Sequence, residues 1–99
     1  MARLDKAAIA ASLGEHISAT PDPEGVADLA WSQGRINVAA DSAAIGPAIG
    51  SLKEVGGFRW IAINAGDLFV ASPKTIGTKV GILDPTGRVL KAADMPRPK

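Results

Sequence analysis

Ninety-nine residues with no cysteine and a net charge of +1 bound this chain to one domain with a modest core. They exclude disulfides, thiolate nucleophiles and zinc–thiolate sites within it. No apolar run approaches the roughly 18 residues of a membrane span, and Arg3, Asp5, Lys6 and Glu15 interrupt any signal-peptide core, so a cytoplasmic protein without membrane contact is expected, with a virion as the other compatible setting.

Residues 5–19 read as a helix. Asp5 is placed to accept from free first-turn amides, Leu4 and Ile9 have the spacing of a hydrophobic staple, and Ile9, Leu13 and Ile17 make a narrow apolar stripe. The run Thr20–Glu24 (TPDPE) ends that helix. Two readings compete next. Asp22-Pro23-Glu24 has the form of a helix start, with Val26, Leu29, Ala30 and Gln33 on one face and Gly34 beyond the end. Alternatively Leu29 and Trp31 alternate, as do Ile36 and Val38, around a Ser32–Arg35 turn, which makes a hairpin. The cap signals favour the helix.

Ile36–Ala40 reads as a strand. Ile45, Ile49, Leu52 and Val55 recur at helical spacing. Asp41-Ser42 can cap that segment, but Pro47 predicts a firm start only near Gly46-Pro47. From Phe58 to Lys91, four short apolar runs separated by Gly, Pro or Asp predict an antiparallel meander: Phe58–Asn64, Leu68–Ser72, Lys79–Asp84 and Arg88–Ala92. Phe58–Asn64 is apolar on both faces, as expected of a central strand. Ser72–Thr78 is the expected loop, and Asp84-Pro85-Thr86-Gly87 a tight turn. The predicted fold is α+β: a mostly antiparallel five-stranded sheet covered by two or three short helices, spanning residues 1–94, with a flexible basic tail at 95–99.

Chemistry is sparse. His16 is the single histidine, and no serine stands in a G-x-S-x-G motif. Asp22, Glu24 and Asp28 gather three carboxylates, but the EF-hand pattern is missing and cap roles account for them. No cofactor or metal is expected. Lys74, Thr75, Thr78 and Lys79 form a hydroxyl- and lysine-rich segment suited to an anion, although the phosphate-loop pattern is absent. Trp31, Arg59 and Arg88 are candidates for an interaction surface.

Charge is unevenly divided. Residues 1–58 carry four basic and seven acidic side chains, whereas 59–99 carry seven and three. Opposite-signed halves offer material for subunit contacts, and the basic half could attract nucleic acid. The reading these features favour is a non-enzymatic interaction or assembly module, partnered by itself or another protein. A nucleic-acid or anion binder is the first alternative, and a small enzyme of unknown reaction the second.

Overall fold

The computed structural model describes residues 3–94; the proposed tail at 95–99 lies outside them. Helix α1 (Lys6–Ile17) begins where expected, with the Asp5 carboxylate accepting the Ala8 amide at 2.8 Å. It ends at Ser18, whose left-handed backbone (φ 59°) turns the chain away. Ile9 and Leu13 are its buried residues.

The segment expected to be a second helix is instead a two-residue strand, a capped turn and a hairpin. Strand β1 (Thr20–Pro21) pairs with β2 (Leu29–Trp31), and β2 pairs antiparallel with β3 (Gly34–Ala39), Leu29 opposite Ile36 and Trp31 opposite Gly34. The cap at Asp22 is real, but it closes a loop. Its carboxylate accepts the amides of Glu24, Val26 and Ala27 at 3.0–3.1 Å, with Gly25 at φ +70° between them. Those amides are satisfied without a helix behind them. The strand also puts Leu29 and Trp31 on one face, in the cluster beneath α1; a helix would set them about 200° apart.

Helix α2 (Ser42–Ser51) starts four residues before the expected point. Asp41 caps it by accepting the Ala44 amide at 2.9 Å, and Pro47 lies inside it. The prolyl ring leaves the Ala43 carbonyl without its helical donor, at an exposed position open to water.

Strand β4 (Arg59–Ile63) is buried at every residue. It is the centre of the sheet, as its two apolar faces require, but its neighbours run parallel to it: Ile36 opposite Trp60 in β3, and Ile61 opposite Ile82 in β5 (Gly81–Leu83). Parallel neighbours need crossovers. Helix α2 makes the first. The second is a short 3₁₀ turn (Ala65–Asp67) running into α3 (Leu68–Thr75). Residues 68–72 are therefore helical where a strand was expected, and 72–75 belong to the same helix rather than to a loop. The chain returns through the Asp84–Gly87 turn, where the Asp84 carboxylate accepts the amides of Thr86 and Arg88 at 2.8 and 3.0 Å. Strand β6 (Val89–Lys91) then closes the sheet antiparallel to β5.

The expected five-stranded, mostly antiparallel meander is thus a six-stranded mixed sheet in sequential order, with three α-helices among the described residues; the α+β class stands. Two apolar clusters sandwich β4. Trp60 and Ala62 join Ile9, Leu13, Ile36 and Val38 on the α1 side, while Ile61 and Ile63 join Ile45, Ile49, Leu52 and Ala71 on the α2–α3 side.

Candidate interaction surface

Among the described residues, the two most exposed large apolar side chains lie on helix α3 and at its C-cap. The crossover needs one apolar stripe, and Leu68, Ala71 and Thr75 supply it, half-buried or buried against the sheet. The sequence provides more apolar mass than that stripe can hide. Phe69 is 90 % exposed and Ile76, at the C-cap, is 74 % exposed. Phe69, Pro73 and Ile76 follow i, i+4, i+7 spacing, so they form one outward ridge two turns long, about 10 Å. Val70 beside them is 40 % exposed. Exposed apolar residues scattered singly need no explanation; a ridge of them does.

The residues singled out in the sequence fall elsewhere. Lys74, Thr75, Thr78 and Lys79 cluster at the C-terminal end of α3, but the hydroxyls serve the turn. Thr75 is buried, donates to the Ser72 carbonyl at 2.8 Å and accepts from the Lys91 ammonium at 2.7 Å. Thr78 donates to the Thr75 carbonyl at 2.6 Å and accepts the Val80 amide at 3.1 Å. The end of a helix also carries partial negative charge, which opposes an anion.

Arg59, expected on a surface, is 6 % exposed. Its guanidinium donates to the carbonyl of Leu52, the C-cap of α2, at 3.2 Å, and to the carbonyl of Thr78 beyond α3 at 2.7 Å. One buried cation therefore joins the negative end of α2 to the turn that follows α3. Its Nε has no hydrogen-bond partner. Trp31 is half-buried, edge-on to Trp60 with ring centroids 5.4 Å apart. Trp60 in turn donates to the Gln33 carbonyl at 2.9 Å. Of the three surface candidates, Arg88 alone is exposed.

Several other cations are also engaged within the fold. Arg3 forks onto Asp67, and Arg35 bridges Asp22 and Glu24 at 3.2 and 2.8 Å. Helices pack on both faces of the central strands, so these offer no open platform for stacked bases.

A cleft of about 540 Å³ lies between α2 and the 25–28 loop. Its polar groups are spent on one another. Asp28 pairs with Lys6 at 3.1 Å and accepts the Val38 amide at 2.9 Å, while Asn37 accepts the Asp28 amide and donates to the Ala48 carbonyl. This network braces the point where β2 leaves β3, replacing backbone pairing by side chains. His16 lies exposed in the last turn of α1. Among the described residues, no three His, Asp or Glu side chains converge as metal ligands, and no helix is long and apolar enough to cross a membrane.

The α3 ridge was missed because Leu68–Ser72 is too short for its period to separate strand from helix. The signal lay further on: Leu68, Ala71 and Thr75 repeat at i, i+3, i+7, a spacing visible only once Ser72–Thr75 is read with the apolar run.

No protein-family model matches this chain, and no match was found among curated proteins or solved structures.

Proposed function

We propose that this chain is a non-enzymatic protein-interaction module whose contact surface is the outer face of α3. The observation that carries the reading is Phe69, 90 % exposed on a helix that also presents Ile76 at 74 %. Leaving such side chains in water forgoes roughly 1.5–3 kcal/mol each relative to burial, which a binding surface recovers on association. The braced polar cleft and the burial of Arg59 support the same reading, since they leave the α3 ridge as the surface with most to gain from a partner. The lack of cysteine fits a reducing compartment, and we place the module in the cytoplasm.

The test is site-specific photo-cross-linking in the native cells. A photoreactive phenylalanine analogue replaces Phe69 in one strain and Glu15, exposed on α1, in another. The module predicts a discrete adduct from position 69 and none from position 15. An equal yield from both positions, or no adduct from either, would overturn it.

A further inference from the structure

Resting on that reading, we infer that the occupant of the α3 face is a second copy of this chain, docked about a two-fold axis near Pro73 with the two α3 helices antiparallel. An isologous contact requires a surface that is its own complement. The α3 ridge meets that requirement. Phe69 and Ile76 stand two turns apart on either side of Pro73, so an antiparallel copy sets each Phe69 beside the Ile76 of the other.

Charge supports the same occupant. Lys74 is the single charged residue of α3, and helical spacing puts it off the ridge. Bringing two such faces together therefore opposes no like charges along the seam, whereas a strongly charged partner would find nothing to pair with there.

Area agrees as well. An aromatic side chain carries about 150–250 Å², so Phe69 with Ile76 and Val70 leaves on the order of 400 Å² of apolar surface per copy, within the size of patch that marks an interaction site. Two copies bring about 800 Å². At the roughly 65 % apolar share of homodimer interfaces, the whole contact comes to about 1,200 Å², the lower edge of specific stable interfaces. The expected product is a dimer that dissociates on dilution in the micromolar range.

The experiment is sedimentation velocity on the purified chain across that concentration range. The mass should rise from 10.1 kDa toward twice that value. Phe69→Glu and Ile76→Glu should each move the midpoint at least about tenfold higher, the scale of an interface anchor. Val89→Glu, at an exposed position on edge strand β6, should leave it in place. Circular dichroism and tryptophan fluorescence confirm that each variant is folded. A second measurement leaves Phe69 and Ile76 in place. Pro73→Cys introduces the sole thiol and should form an inter-chain disulfide close to the axis, whereas Val89→Cys should not. A chain that stays monomeric throughout overturns the inference. So does a dimer indifferent to the α3 variants, or one lost with Val89→Glu, which would assign the contact to the sheet edge. If the protein is monomeric yet position 69 still yields an adduct in cells, the second copy is refuted and the interaction module stands. If neither occurs, both fall.

Discussion

Asn64 holds Leu4 by both of its backbone groups. The side-chain oxygen accepts the Leu4 amide at 3.0 Å, and the side-chain nitrogen donates to the Leu4 carbonyl at 3.0 Å while also reaching the Ala40 carbonyl at 3.0 Å. One buried amide at the end of β4 thereby pins the approach to α1 and the exit from β3. Asn64→Ala removes three hydrogen bonds and should cost about 2 kcal/mol, since the partners left behind are partly open to water. Urea unfolding measures it; a loss under about 0.5 kcal/mol, the scale of an ordinary surface change, would mean that the arm holds without Asn64.

The same arm should make stability sensitive to acid. The Arg3 guanidinium holds the Asp67 carboxyl below the usual carboxylate range. At Asp22, burial pushes the carboxyl up, but the amides of Glu24 and Ala27 together with Arg35 outweigh it and leave it below that range too. Groups depressed in the folded state bind more protons when unfolded, so their contribution is complete above the unfolded value and is lost as pH falls through the folded one. Unfolding midpoints in urea should hold level near neutrality and fall below the usual carboxylate range. Arg3→Ala should flatten part of that limb, with the remainder belonging to Asp22. An acid limb identical in Arg3→Ala would refute the assignment to Asp67.

Arg59→Met keeps much of the side-chain volume and removes the donors that serve Leu52 and Thr78. The end of α2 and the turn after α3 lose their shared donor, at an expected cost of about 2–3 kcal/mol. Thermal unfolding should fall by several degrees, and hydrogen exchange should quicken at the ends of α2 and α3 more than in α1. Equal quickening in all three helices would indicate general loosening instead.

Two glycines should respond in opposite directions. Gly34 has φ +129°, and a Cβ there would lie 2.0 Å from the Phe58 carbonyl oxygen, so Gly34→Ala should cost more than about 3 kcal/mol and leave little folded protein. Gly50, inside α2 with open space around it, should gain roughly 0.5–1 kcal/mol on Gly50→Ala from helix propensity alone. A Gly34→Ala variant as stable as the parent would mean that the β3–β4 approach relaxes far more readily than its geometry implies.

What the chain specifies by itself is local. Asp5 and Asp41 cap helices, Asp84–Gly87 turns, and Phe58–Asn64 alternates apolar residues on two faces, because caps, turns and pleats depend on residues a few positions apart. Tertiary structure decided the rest. Asp22 caps a turn rather than a helix, because Leu29 and Trp31 gain more beneath α1 than a helix offers them. Residues 68–75 are helical because β3, β4 and β5 align in parallel, and a parallel connection has to cross over the sheet. That crossover turns Phe69 and Ile76 outward, and Arg59 turns inward to meet the end of α2 and the turn after α3. No short window of sequence holds the crossover at residues 68–75, since it is set by strands paired twenty or more residues apart.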